Sequence, residues 1–117
     1  MCKLLVGINL SKERNREFEN LIEAQEEDIK KETNGIGSLV ITKDGTLTTY
    51  RSLENYDEVL DKTFSNLREA KLVAIHSRSR TSGALDLANV HFFEIDNYLM
   101  AHNGIISAYS TYLYPRY

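Results

Sequence analysis

The 117-residue chain has a single cysteine, and it lacks any apolar run long enough to cross a bilayer. One cysteine excludes an intrachain disulfide and favours a reducing compartment. A membrane-spanning helix needs about 20 apolar residues, and the N-terminus lacks a signal-peptide pattern. The net charge of −3 does not favour nucleic acid, which calls for a basic face. These absences predict a cytoplasmic protein that binds neither a membrane nor nucleic acid.

Patterns for binding metal ions and phosphates are also missing. The three histidines are far apart in sequence, and the cysteine lies at the opposite end of the chain. Gly35-Ile36-Gly37 is too short to predict a phosphate loop. We therefore expect no metal ion and no cofactor. The length predicts one domain, residues 1–117, with a core large enough to fold without such aids.

The first third of the chain predicts a strand followed by a helix. Residues 2–8 form a near-continuous apolar run, which is typical of a strand covered on both faces. Ser11 can cap a helix that we expect to reach about Glu32 before Asn34-Gly35 ends it. One stripe of that helix is apolar and is predicted to be buried: Phe18, Leu21, Ile22 and Ile29.

The remainder predicts a hairpin, a second helix and further strands, and so an α+β fold. Two β-rich segments, 38–42 and 46–51, flank Asp44-Gly45, a strong turn signal. Apolar residues recur at helical spacing from Tyr56 to Leu67 and predict a helix that ends near Ala70. Further strands are predicted at 72–76, 92–95 and 98–102, with a loop at 79–91 and a turn at Asp96-Asn97.

Cys2 directly follows the initiator methionine. Removal of Met1 would place a thiol of pKa ~8.5 and an α-amine of pKa ~7.7–8.0 on one residue. The amine could then accept the thiol's proton and activate a nucleophile. Taken alone, a cysteine at this position is more often a small buried hydrophobe.

Two other segments have side chains suited to catalysis. In residues 76–83, Arg78 follows a predicted strand and could bind a carboxylate through two hydrogen bonds, although most such arginines are surface charges. In residues 100–106, the Asn103 carboxamide and the Gly104 N–H could both stabilise an oxyanion, although Asn-Gly more often marks a turn.

In order and approximate spacing, these segments resemble the glutaminase domain of class II glutamine amidotransferases, which are N-terminal-nucleophile hydrolases. The resemblance extends over residues 1–107, and the combination of motifs is specific. The shared motifs are Met1-Cys2, His76-Ser77-Arg78 opening a loop that ends at Gly83, Asn89-Val90-His91, and His102-Asn103-Gly104-Ile105-Ile106, with Asn34-Gly35-Ile36-Gly37 as a looser match.

The resemblance implies a four-layer αββα sandwich, of which residues 1–117 would be the N-terminal part. It implies attack of a cysteine thiolate on the glutamine amide, release of ammonia and hydrolysis of a glutamyl thioester. Glutamine or a related small amide would be the substrate, and a further subunit or domain would accept the ammonia. Unpaired strand edges also lead us to expect a homo-oligomer or a complex. The implied catalytic residues are Cys2, Asn103 and Gly104, and the implied substrate-binding residues are Arg78, Ser79, Gly83 and His102.

The chain departs from the family pattern at four positions, and two alternatives stay open. The family commonly has glycine, an aromatic residue, histidine and proline where this chain has Lys3, Ser79, Ser82 and Phe92. One alternative is a catalytically inactive relative that acts as a binding or assembly module. The other is a different cysteine hydrolase, in which His76, His91 or His102 is the base.

Overall fold

The computed structural model describes residues 2–27, 34–79 and 87–101. Six strands and two α-helices lie within these ranges. Four of the strands form one antiparallel sheet, and the other two form a separate hairpin. The elements are β1 (Lys3–Ile8), α1 (Lys12–Ala24), β2 (Ile36–Thr42), β3 (Leu47–Ser52), α2 (Tyr56–Ser65), β4 (Ala70–Ser77), β5 (Phe93–Ile95) and β6 (Tyr98–Met100), with 3₁₀ turns at Leu67–Glu69 and Leu87–Asn89. The order in the main sheet is β1-β4-β2-β3.

Helix α1 begins as predicted and ends earlier. The backbone N–H of Arg14 donates to the Ser11 hydroxyl at 3.2 Å, which is the expected N-cap. The helix stops at Ala24, so one continuous helix to Glu32 is wrong; helical conformation resumes at 26–27. The buried stripe is also narrower than predicted, because Leu21 is 45% exposed.

The hairpin of β2 and β3 forms around Asp44-Gly45, as predicted. Gly45 has a φ of +91°, a conformation that glycine adopts without a steric penalty. The Asp44 carboxylate accepts the Thr46 backbone N–H at 3.0 Å and a short hydrogen bond from the Thr42 hydroxyl. The turn is therefore fixed by side-chain contacts as well as by backbone geometry.

The two helices cover one side of the main sheet, which we call the helix face. Asn55 caps α2 through the Glu58 N–H, and α2 ends at Ser65 because Leu67–Glu69 is a 3₁₀ turn and Ala70 already belongs to β4. The single helix predicted to continue to Ala70 is therefore wrong. A large apolar cluster is buried on this face: Phe18, Ile22, Ile36, Val40, Tyr56, Val59, Leu60, Leu67, Ala70, Val73 and Ile75.

The opposite side of the sheet, which we call the loop face, has a much smaller core. Leu39, Ala74 and Phe92 are buried together there, with Leu99 of β6 packed against them. Strands β5 and β6 pair as predicted, around a turn in which Asp96 has a φ of +53°.

Within the described residues, strand β1 lies at the edge of the sheet and is covered on one face only, so the prediction of a strand covered on both faces is wrong. Leu5 packs on the helix-face core. The side chains on either side of it in the strand point to the loop face, since Val6 pairs with Ala74, whose side chain lies on that face. Leu4, Val6 and Ile8 are 38%, 51% and 61% exposed.

The predicted α+β class is confirmed by an antiparallel sheet with helices on one face. Across the described ranges, the helices are too short or too polar to span a lipid bilayer.

Candidate functional site

Cys2 and Ser79 meet where β1 begins and β4 ends. The register of the two strands pairs Lys3 with Ser77, so the residue opposite Cys2 is Arg78. The Ser79 backbone N–H donates to the Cys2 Sγ at 3.3 Å, and the Ser79 carbonyl oxygen lies 3.6 Å from the same sulfur. The thiol can donate a hydrogen bond to the carbonyl oxygen, and the N–H can stabilise negative charge on the sulfur.

Arg78 is buried, with 7% of its surface exposed. Its backbone N–H donates to the Gly35 carbonyl at 2.8 Å, and its carbonyl accepts the Asn34 N–H at 2.6 Å. The end of β4 is thus held on both sides, by Cys2 and by the start of β2. These contacts fix the backbone of Arg78, and a guanidinium can bind a carboxylate through two parallel hydrogen bonds.

Two histidines stack on the loop face near this strand end. His76 and His91 are 0% and 4% exposed, and their ring centroids are 3.7 Å apart with an interplanar angle of 24°. The Phe93 ring lies 4.3 Å from that of His91. The His91–Phe92 peptide bond is cis.

The Val90 side chain and the His91 backbone lie directly on Gly35 and Gly37, at the beginning of β2. A Cβ at Gly37 would overlap the His91 carbonyl oxygen and would lie 2.7 Å from its carbonyl carbon. A Cβ at Gly35 would likewise overlap Val90, which is completely buried. On the loop face, Gly35 and Gly37 therefore leave a surface without side chains, against which the 87–92 loop packs.

Arg51 of β3 makes a second contact with the same loop. Its Nη1 lies 3.4 Å from the Val90 carbonyl oxygen and 3.5 Å from that of Leu87. Both distances are long for hydrogen bonds, so we regard them as a weak charge-assisted contact with the end of the 3₁₀ turn.

The structure brings some predicted site residues together and leaves others outside its description. Cys2, Arg78 and Ser79 lie side by side. The remaining four, Gly83, His102, Asn103 and Gly104, fall outside the described residues.

Sequence reasoning missed the contact of Gly37 with His91 and the contact of Arg51 with the loop. Two glycines at the start of a strand are a recognised sign of close backbone approach. Gly35-Ile36-Gly37 could therefore have indicated that another segment packs there. Nothing local to Arg51 marks its partners, which lie 36 and 39 residues later.

Two grooves on the surface differ in whether they border these elements. One of about 520 Å³ borders the loop face and contains Arg51, Phe92 and Glu94. A larger one, of about 990 Å³, lies between α1 and the Leu67–Glu69 turn, and it is lined by charges of both signs and by none of the predicted site residues. Within the described ranges, no three His, Cys, Asp or Glu side chains cluster as metal ligands do.

Comparison with protein-family models, curated proteins and solved structures gave no match. A functional assignment therefore depends on the residues of this chain and on their geometry.

Proposed function

We propose that the chain hydrolyses the side-chain amide of glutamine, or of a related small amide, with Cys2 as the nucleophile. The observation that supports this proposal most directly is the meeting of Cys2, Arg78 and Ser79 at one strand end. The sequence motifs named all three residues, although Cys2 and Ser79 are 77 positions apart.

The proposed reaction begins when Met1 is removed and the α-amine of Cys2 is free. The amine accepts the thiol proton, and the thiolate forms a C–S bond to the amide carbon. The C–N bond then breaks, and the nitrogen takes up a proton and leaves as ammonia. Water cleaves the glutamyl thioester to give glutamate and restores the thiol. The Ser79 N–H, already directed at the sulfur, stabilises the thiolate before attack.

Arg78 would bind the α-carboxylate of the substrate, and this would place the side-chain amide at a fixed distance from the sulfur. Ser79, Gly83 and His102 would complete the substrate-binding residues. Asn103 and Gly104 would stabilise the tetrahedral oxyanion. These last roles follow from the motif resemblance.

We also propose that the fold is a four-layer αββα sandwich. The apolar side chains of β1 exposed on the loop face, Leu4, Val6 and Ile8, support a second layer on that side of the sheet. An oligomer or a complex with an ammonia-accepting subunit belongs to the same proposal, and light scattering tests it. A monomer at all concentrations would count against the oligomer.

Mass spectrometry with a glutamine-like diazoketone tests the nucleophile. We expect loss of Met1 and one adduct on Cys2, with free glutamine slowing the labelling. The control is Cys2→Ser, which keeps the size of the side chain and should form no adduct. Intact Met1 together with no adduct would contradict the proposal and would favour an inactive binding or assembly module.

A second candidate is a hydrolase in which His76, and not the α-amine, is the base. His76 is on the same face as Arg78, and it pairs with Leu4, two residues after Cys2. The two candidates differ in what they need at the N-terminus. One extra residue that blocks the α-amine should abolish hydrolysis in the first mechanism and preserve it in the second, whereas His76→Gln should do the reverse.

A further inference from the structure

We propose that Gly37 is a positioning residue of the candidate site, since the His91 ring can stack on His76 only while position 37 has no side chain. The catalytic consequence rests on the proposed function. The contact itself rests on the geometry of β2 and the 87–92 loop alone.

The steric requirement at Gly37 is unusually strict. An added Cβ would overlap the His91 carbonyl oxygen, and because this neighbour is backbone, it cannot rotate away as a side chain can. The φ of Gly37 lies outside the left-handed region, so an alanine there would fit the strand itself. Any effect of Gly37→Ala would therefore come from the contact with His91.

The stack lies next to the strand end that contains Cys2. Gly37 pairs with His76 across β2 and β4, and Leu4 pairs with His76 across β1 and β4. Cys2 is therefore the diagonal cross-strand neighbour of His76, and such neighbours are typically about 7–8 Å apart. The charge on His76 can act on the sulfur over that distance.

Stacking limits the charge that the two imidazoles can hold. With ring centroids 3.7 Å apart in a buried site, two protonated rings would repel each other strongly. His91 in its observed place thus opposes protonation of His76. Displacing His91 would let His76 take up a proton at higher pH, next to the thiol. Among the described residues, the other titratable or charged groups on or beside the elements packed around the stack are Cys2 just before β1, Arg78 just after β4, Arg51 of β3, Glu94 of β5 and Tyr98 of β6, with none from β2.

The decisive comparison is Gly37→Ala against Gly7→Ala. Gly7 is also in a strand of the main sheet, but its added Cβ would meet the end of the Leu10 side chain at 2.7 Å and a Val73 methyl at 3.1 Å, and Leu10 can adjust. We would follow the imidazole signals by NMR titration and assign the three histidines with single His→Gln variants. In the wild type and in Gly7→Ala, the stacked pair should titrate in two steps separated by more than about one pH unit. In Gly37→Ala the separation should shrink, and the His76 step should move to higher pH.

The pH profile of Cys2 alkylation by iodoacetamide gives a second readout that a loss of stability alone would not move. The inflection that protonation of the histidines gives to this profile should move to a different pH in Gly37→Ala and stay at the same pH in Gly7→Ala. Identical imidazole titrations in all three proteins would overturn the proposal.

Two further variants keep the proposal testable if Gly37→Ala does not fold. Arg51→Met removes an exposed guanidinium from the Leu87 and Val90 carbonyls and should shift the His76 step in the same direction by a smaller amount. His91→Phe keeps a ring on His76 without a second titrating group, and the His76 step should then move to higher pH. A His76 step at its wild-type pH in both variants would overturn the proposal. Because no glutamine is present in these titrations, an inactive wild type would contradict the proposed function and leave the role of Gly37 standing.

Discussion

The two faces of the main sheet differ in what fills them. The helix face buries a continuous apolar cluster contributed by both helices and by the central strands. Among the described residues, the loop face buries three apolar residues together, and the same face has two histidines, an arginine and the cysteine toward the end of β4. Burial of apolar area is the main source of stability, whereas catalysis needs polar groups held at fixed distances. Most of the stability therefore comes from the helix face, and the proposed chemistry lies on the loop face.

The largest expected effect is a difference in stability between the same truncation, isoleucine to alanine, on the two faces. Ile22→Ala on the helix face should lower the free energy of unfolding by about 3 kcal/mol, because Ile22 is 1% exposed and its loss leaves a cavity. Ile8→Ala on the loop face removes an equal group from a residue that is 61% exposed, and should cost less than about 1 kcal/mol. Urea unfolding measures both, and equal costs would break the comparison.

The next effect concerns activity and belongs to the loop face. Arg78→Met should raise the KM for glutamine by about 10- to 100-fold, since it removes charge-assisted hydrogen bonds worth roughly 1.5–3 kcal/mol. The matched control is Arg68→Met, an exposed residue of the 3₁₀ turn on the helix side, and its KM should be unchanged. Steady-state ammonia release measures both variants, and an unaltered KM in Arg78→Met would contradict its role.

A smaller effect on stability tests whether the helix face is as apolar as its core suggests. The buried hydroxyls of Ser38 and Thr63 are 2.6 Å apart, and the Thr63 hydroxyl also lies 2.6 Å from the Val59 carbonyl oxygen. Thr63→Val leaves the Ser38 hydroxyl without this acceptor and should cost about 1–2 kcal/mol. Adding Ser38→Ala should recover part of that loss. A double variant less stable than Thr63→Val would show that the pair is not coupled as described.

The smallest expected effect is on stability and concerns the turn between β2 and β3, which belongs to neither face. Hydrogen bonds from Thr42 and then from Thr46 hold the pKa of Asp44 below its ordinary value. A lowered folded pKa gives stability that is present above the unfolded pKa and is lost as the pH falls through the folded value. The difference in the free energy of unfolding between Asp44→Asn and the wild type should therefore become smaller as the pH falls from about 5 to about 2. Urea midpoints at several pH values measure this, and a constant difference would contradict it.

Local signals in the sequence predicted the elements whose causes are local. Ser11 at the start of α1 and Asp44-Gly45 in the hairpin act within three or four residues of themselves, and both are found where they were expected. The end of α1 at Ala24 was missed because the apolar spacing continues beyond the point where the helix stops. The exposed face of β1 was missed for a different reason. An apolar run does not say whether its strand will lie in the middle of a sheet or at the edge.

The candidate site was predictable only as far as its motifs reach. The motifs named Cys2 and Arg78, and the β1–β4 register brings them together. The stacking of His76 on His91 depends on how the 87–92 loop crosses β2, and no spacing in the sequence encodes that crossing. The visible sign of it was the pair of glycines, Gly35 and Gly37.

The hydrogen bond between Cys2 and Ser79 also bears on how the chain folds, since the two residues are 77 positions apart. The β2–β3 hairpin can form within a short stretch, but β1 has to wait for β4 before it gains any pairing partner within the main sheet. Contacts of such long range form late and slow the folding of a domain. The thiol would therefore enter its final surroundings only as the sheet is completed, and a partly folded chain would expose a cysteine without the proposed substrate-binding arginine opposite it.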